Sequence, residues 1–172
     1  MLEFVNVKIR NASPSDAPEI AAIYNHFILE TVITFEETAI SDDEMAGRIS
    51  EVSEKFPWIV CVEAGRILGY AYASSWKSRC AYRNSVETTV YLDANVAGRG
   101  LGKLLYQELL NRLRALGLHA AIGGIALPNE ASVRLHEKCG FEKVAHFKEV
   151  GFKFGNWIDV GYWQVLLTDP ID

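Results

Sequence analysis

Hydrophobic and polar residues alternate in "FVNVKIR" (residues 4–10), the period-two pattern of a half-buried strand. The next stretch, "NASPSDAPEIAAIYNHFILE", changes to helical spacing, with Ser13 in the N-cap position and Pro14 at the first helical residue. A second helix is predicted from Ser41, where "SDDEMAGRISEVSEKF" opens with the capping-box pair Ser41 and Glu44. Three strands follow, "WIVCVEA", "ILGYAYASSW" and "SVETTVYLD", the first two joined by a tight turn at Gly65. Leu101, Leu104, Leu105, Leu109, Leu110 and Leu113 then trace one face of a helix that Gly117 stops. "HAAIGGIAL" reads as a strand and "PNEASVRLHEKCGF" as a short helix ending at Gly140. "EKVAHFKEV" and "WIDVGYWQVLL" read as the last two strands.

The order β-α-α-β-β-β-α-β-α-β-β does not fit a repeated βαβ unit. It predicts an α/β protein of the α+β type, with a mixed, mostly antiparallel central sheet flanked by helices. At 172 residues, without repeats or a Pro/Gly-rich linker, the chain is expected to form one domain over residues 1–172.

Composition narrows the function classes. Hydrophobic residues make up 49% and charged residues 23%, ordinary for a globular chain. The apolar runs are too short for a membrane span, and "MLEFVNVKIRNASPSD" lacks the basic and apolar regions of a secretory signal. Cys61, Cys80 and Cys139 are odd in number and form no C-x-x-C pair, so reduced thiols in a cytoplasmic protein are expected, without a metal site. A net charge of −5 argues against a nucleic-acid partner.

One stretch concentrates chemistry. "VAGRGLGKLLYQELL" places Gly98, Gly100 and Gly102 immediately before the leucine-striped helix, and a glycine loop feeding a helix N-terminus is a prepared anion site. A Walker A loop would need glycine at Ala97 and a hydroxyl at Leu104. A dinucleotide loop would need G-x-G-x-x-G spacing and an acid closing the next strand. The sequence meets neither requirement.

"AGRGLG" (residues 97–102) resembles instead the pyrophosphate loop [RQ]-x-x-G-x-[GA] of the GNAT N-acetyltransferases, with Ala97 where that family usually has Gln or Arg. "NEASVRLHEKCGF" (residues 129–141) resembles the second signature of the same family. The stretches "IYNHFILETVITFEE", "WKSRCAYRNSVETTVYLD" and "GFKFGNWIDVGYWQ" are similar to the GNAT subfamily that acetylates phosphinothricin and methionine sulfoximine, so the resemblance covers nearly the whole chain.

The resemblance implies an enzyme that uses acetyl-CoA, without a metal, to acetylate a small amino-acid-like amine in a ternary complex. It assigns the cofactor to the backbone of Ala97, Gly98, Arg99, Gly100, Leu101, Gly102 and Lys103, with Arg99 and Lys103 compensating for the missing side chain at Ala97. Asn129 would hydrogen-bond the pantetheine arm, with Ser132 on the same helical face. The backbone of Val90, Tyr91 and Leu92 would pair with pantetheine and donate to the developing oxyanion. The flanking strands would splay apart, and Gly123-Gly124 is consistent with a distortion there. A homodimer is also implied, with the pocket near its interface.

An amino acid's amine is largely protonated at neutral pH, so a base is required. Glu87 is the candidate: an acid in an apolar, β-branched strand, where desolvation raises its pKa. Strand alternation puts Glu87, Thr89 and Tyr91 on one face. His136 either donates a proton to the leaving thiolate or orients its surroundings. Cys139 stands three residues from His136, but a packing role at the helix end is preferred to a covalent one. For the acceptor's anionic groups, "WKSR" offers Trp76, Lys77 and Arg79, with Phe35, Tyr72, Tyr82 and Trp157 as aromatic candidates for the walls. Lys153 and Asp159 are expected to be structural pairs. Two other readings stay open. One is a GNAT enzyme acting on a polyamine, an aminoglycoside or a protein N-terminus. The other is a non-catalytic acyl-CoA-binding module, which would be expected to lack the base.

Overall fold

The computed structural model describes residues 7–96 and 98–167. The first strand, β1, covers Lys8–Asn11; the start of the predicted strand, at residues 4–6, lies outside the described residues. Ser13 caps a 3-10 turn, Pro14–Asp16, and helix α1 runs from Ala17–Glu30. The α-helix therefore begins three residues later than its cap predicts. The Asp16 carboxylate accepts the Ser13 N–H at 2.8 Å and takes both terminal nitrogens of Arg10 at 2.7 and 2.8 Å. These bonds wind the first turn tightly, and the Arg10 guanidinium holds the Asp16 carboxyl below the usual range.

Helix α2 spans Asp42–Ser53, and Ser41 Oγ accepts the Glu44 N–H at 3.1 Å. Glu44 bonds Arg48 rather than closing the box back onto Ser41. Strands β2 (Trp58–Glu63) and β3 (Arg66–Ser75) meet at Ala64 (φ 49°) and Gly65 (φ 82°), the two left-handed positions of a type I′ turn. Next come β4 (Ser85–Leu92), α3 (Leu101–Ala115), β5 (Ala120–Leu127) and α4 (Glu130–Lys138). The chain closes with the hairpin β6 (Glu142–Lys153) and β7 (Asn156–Leu166).

Seven strands form one sheet in the order β1-β2-β3-β4-β5-β7-β6, and among the described residues β4–β5 is the one parallel pair. A parallel neighbour needs a crossover, and α3 supplies it. Against one face, α3 buries Leu101, Leu105, Leu109, Leu110 and Leu113 with Phe141 and Trp163; Leu104 is half-buried at the rim. Each fully buried leucine contributes roughly 1.5–3 kcal/mol. On the other face α1 and α2 bury Ile20, Ile28, Met45 and Ile49 against Trp58, Val60 and Tyr70. Helices cover both faces, so β2 reads "WIVCV" without alternation. Strand β6 is one edge of the sheet and β1 the other. The β6 edge is bulged twice and exposes Val144, Phe147, Val150 and Phe152.

Candidate active site

The parallel pairing of β4 and β5 lasts three residues, Ser85–Glu87 against Ala120–Ile122. Beyond it, Thr88–Leu92 stays with β3 and Gly123–Leu127 stays with β7. The two inner edges of the sheet thus part, leaving backbone donors and acceptors without a strand partner. A cavity of about 550 Å³ opens at the fork. Its walls include Val90 and Tyr91 from β4, Ile125 and Ala126 from β5, and Asn129, Ser132 and His136 around α4.

Glu87 sits at the fork itself, half-buried on the cavity wall. A Cβ on Gly124 would come within 3.4 Å of Glu87 Oε1 and 3.1 Å of the Tyr162 ring, so the bare backbone makes room for both side chains. Burial raises the Glu87 carboxyl above the usual carboxylate range, and the charge of Lys77 opposes that shift.

His136 is enclosed on the opposite side of β5. Its Nδ1 lies 2.8 Å from the Ser132 carbonyl, which can only accept, so Nδ1 carries the hydrogen. Nε2 is then an acceptor, and the Tyr106 hydroxyl, 2.9 Å away, donates to it. Tyr106 in turn accepts from Thr88 Oγ1 at 2.7 Å. Burial lowers the His136 pKa, which favours the neutral imidazole. A Cβ on Gly123 would meet His136 Nε2 at 2.3 Å. The Gly123-Gly124 pair therefore does not mark a distorted strand: both residues stay in register with β7, and each clears space on one face of β5.

The glycine loop turns through left-handed positions at Gly98 (φ 82°) and Gly100 (φ 79°), the N-cap of α3. The first bond of the helix ladder runs from the Leu104 N–H to the Gly100 carbonyl, so the N–H groups of Leu101, Gly102 and Lys103 precede it. Leu101 is a core residue and offers only its backbone. Gly102 permits close packing, since a Cβ there would sit 3.2 Å from Leu135 and 3.5 Å from Leu92. Ala97 lies outside the described residues. Arg99 differs from expectation: Glu63 holds its guanidinium in a two-point bond at 2.7 and 3.0 Å, leaving Lys103 as the exposed cation of the loop. Asn129 Oδ1 caps α4 through the Ser132 N–H at 3.1 Å, which leaves its amide nitrogen for a ligand.

Of the residues expected to bind substrate or wall the pocket, Phe35 and Tyr72 reach the cavity, beside Tyr24, Thr34 and Ser74. Trp76 and Tyr82 line a neighbouring hollow of about 370 Å³ that shares Tyr162 with the cavity. Lys77 Nζ lies 4.8 Å above the Trp76 ring. Arg79 lines neither hollow; it caps a 3-10 turn (Cys80–Tyr82) at the surface. Trp157 is also outside both, exposed against Phe152. Lys153 and Asp159 do not pair with each other: Lys153 is buried against two carbonyls, and Asp159 bonds His146 at 2.6 Å. The sequence reading missed Tyr24, Thr34 and Tyr162, which stand inside the stretches similar to the GNAT subfamily but were not singled out there. It also missed Tyr106, whose only local signal is a tyrosine on the buried leucine face of α3.

Cys61, Cys80 and Cys139 are free thiols, and burial raises the Cys139 thiol pKa, which disfavours the thiolate a covalent route needs. Among the described residues no helix is long and apolar enough to cross a membrane. No three His, Cys, Asp or Glu side chains among them gather to hold a metal.

The acetyltransferase (GNAT) domain family matches residues 9–161. The chain is 41% identical to a phosphinothricin N-acetyltransferase of Streptomyces coelicolor, covering 92% of this chain and 95% of that one. It is 35% identical to an L-methionine sulfoximine/L-methionine sulfone acetyltransferase of Salmonella typhimurium, over 94% and 95% of the two chains. The crystal structure of a GNAT superfamily phosphinothricin acetyltransferase from Sinorhizobium meliloti in complex with acetyl-CoA superimposes with a TM-score of 0.91. That pair shares 37% identity over 98% of this chain and 95% of the other. The family match spans most of the chain and the relatives cover nearly all of it, and the protein belongs to the GNAT acetyltransferase family.

Proposed function

We propose that this enzyme transfers the acetyl group of acetyl-CoA to the amino group of a small amino-acid-like acceptor of the phosphinothricin or methionine sulfoximine type. The observation that carries the reading is Glu87, a carboxylate with raised pKa on the cavity wall where β4 and β5 part. The named substrates of the relatives supply the acceptor class.

The fork suits a pantetheine arm, because the unpaired edges of β4 and β5 offer ladder groups to an extended amide chain. Val90, Tyr91 and Leu92 would hold that arm from one side and Asn129 and Ser132 from the other. The N–H groups from Gly98 to Lys103 would receive the pyrophosphate. Bound there, acetyl-CoA supplies an activated thioester carbonyl. Glu87 takes a proton from the acceptor's ammonium, directly or through a water, and thereby frees the lone pair that attacks the carbonyl. The C–N bond forms as the C–S bond breaks, and coenzyme A would leave as the thiol with the second proton given up by the nitrogen. His136 acts by orientation: its one N–H is given to Ser132 and its lone pair is held by Tyr106, so the neutral ring has no proton directed at the cavity. Lys77, which like Arg79 lines neither hollow, lies close enough to oppose the rise of the Glu87 pKa and would meet the acceptor's acidic groups from outside the cavity.

A homodimer accords with the exposed apolar strip of β6, since Val150 borders the cavity while Val144 and Phe147 border the neighbouring hollow. A second copy on that strip would close both, and light scattering on the purified protein measures it. A cytoplasmic location accords with the three free thiols.

The deciding experiment is thiol release from acetyl-CoA with phosphinothricin, methionine sulfoximine, ordinary amino acids, spermidine and an aminoglycoside, with Glu87→Gln beside the wild type. Saturable turnover of the first two, lost in the variant, supports the reading. Turnover confined to spermidine or the aminoglycoside overturns the acceptor class. Binding of acetyl-CoA without turnover of any amine favours a binding module.

A further inference from the structure

The segment joining α1 to α2, residues 31–41, gives the cavity Ile33, Thr34 and Phe35, yet it contains no helix or strand of its own. Two residues of the C-terminal hairpin hold it. Lys153, 0% exposed, donates from Nζ to the Ile28 carbonyl at 2.7 Å and to the Thr34 carbonyl at 2.8 Å, bracketing the exit from α1 and the first half of the loop. The Phe35 ring lies on the bare backbone of Gly151, where a Cβ would meet ring atoms at 2.3, 2.6 and 2.9 Å.

Burying an ammonium is unfavourable unless its donors are satisfied. No carboxylate lies within ion-pair distance of Lys153 among the described residues; two carbonyls and the Phe154 ring at 5.0 Å compensate instead. Burial lowers its pKa, and the more distant Glu37 opposes that. A methionine would fill a similar volume without this desolvation, but it offers no donor to the Thr34 carbonyl. The lysine therefore does something packing alone does not require: it fixes the backbone that carries Thr34 and Phe35.

We propose that Lys153 is a positioning residue for the acceptor side of the cavity, acting together with Gly151 to set the loop that presents Thr34 and Phe35. The inference rests on the reading of this cavity as the acceptor site.

Three substitutions and two readouts test it. In Lys153→Met, amide hydrogen exchange across residues 31–41 accelerates while α3 keeps its protection, a measurement that needs no substrate. The same variant raises the KM for the acceptor about tenfold and leaves the KM for acetyl-CoA within about twofold, a split that general loosening would not give. Gly151→Ala, which keeps the lysine, shifts acceptor KM through the Phe35 ring alone, and its effect disappears in a Phe35→Ala background. Should Lys153→Met fail to fold, this cycle carries the test. Unchanged exchange in the loop, equal rises in both KM values, or a Gly151→Ala effect that persists without Phe35 would overturn the proposal. A wild type that turns over no amino-acid acceptor, with the exchange effect intact, would instead count against the acceptor reading.

Discussion

The hydroxyl of Tyr106 lies 2.9 Å from Nε2 of His136, and with Nδ1 given to the Ser132 carbonyl this bond makes the imidazole an acceptor at its far nitrogen. Thr88, Tyr106 and His136 thus tie β4, α3 and α4 together at the fork of the sheet.

Removing the middle member leaves His136 Nε2 without its donor, while Thr88 Oγ1 keeps the Ile122 carbonyl at 3.3 Å. Tyr106→Phe is expected to destabilise the fold by about 1–3 kcal/mol. Denaturant unfolding measures that loss, and a nitrogen-15 spectrum of His136 should show the Nδ1–H tautomer in the wild type.

The same histidine sets a pH window. Its folded pKa is lowered by burial, so the unfolded chain binds the proton more readily. Stability is full above the ordinary histidine pKa, near 6.5, and declines as pH falls through the folded value. Denaturant unfolding at pH 7.5 and 5.5 should show this decline in the wild type and a smaller one in His136→Asn. The paired carboxylates, Asp16 and Glu36 among them, titrate below this window because their cations hold them low.

Glu87 behaves in the opposite sense. Its folded pKa is raised, so its stabilising contribution is present below the ordinary carboxylate pKa and is lost as pH rises through the folded value. Glu87→Gln should therefore be at least as stable as the wild type at neutral pH while losing about 10²- to 10⁴-fold in kcat. Equal activity in the variant would remove Glu87 as the base. Wild-type activity should rise with pH through the raised pKa.

The adjacent glycines separate fold from function. Gly123→Ala drives a methyl into the His136 ring and should cost about 1–3 kcal/mol through overpacking. Gly124→Ala meets Tyr162 and Glu87 at 3.1 and 3.4 Å, tight but not prohibitive. It should keep most of the stability while lowering kcat by shifting the carboxylate. Melting curves beside initial rates distinguish the two.

What the sequence revealed follows the range of each interaction. The leucine face of α3 and the turn at Gly65 are local patterns that form as read, and at Ser41 the cap forms while Glu44 turns to Arg48 instead of closing the box. Glu87 was legible because an acid in a β-branched strand is anomalous wherever it occurs. The residues that complete the site meet partners far along the chain: Tyr106 bonds His136 across 30 positions and Lys153 bonds Thr34 across 119. No periodicity records such encounters. The pairing of Arg99 was out of reach for the same reason, since its partner Glu63 lies 36 positions away on β2.

That ion pair leads to the last prediction. With Ala97 lacking the side chain usual at its position, the loop's remaining cations are Arg99 and Lys103, and Glu63 neutralises the first. Glu63→Gln keeps the size of the side chain, removes its charge and frees the guanidinium for phosphate oxygens. The Kd for acetyl-CoA should fall by about threefold at low ionic strength, the modest scale expected of an exposed pair. Most of that gain should vanish at about 0.5 M salt, where screening acts within a few ångströms. Calorimetric titration at both ionic strengths checks this. Unchanged affinity would mean that Arg99 points away from the phosphates with or without its partner, leaving the backbone N–H groups and Lys103 to bind them.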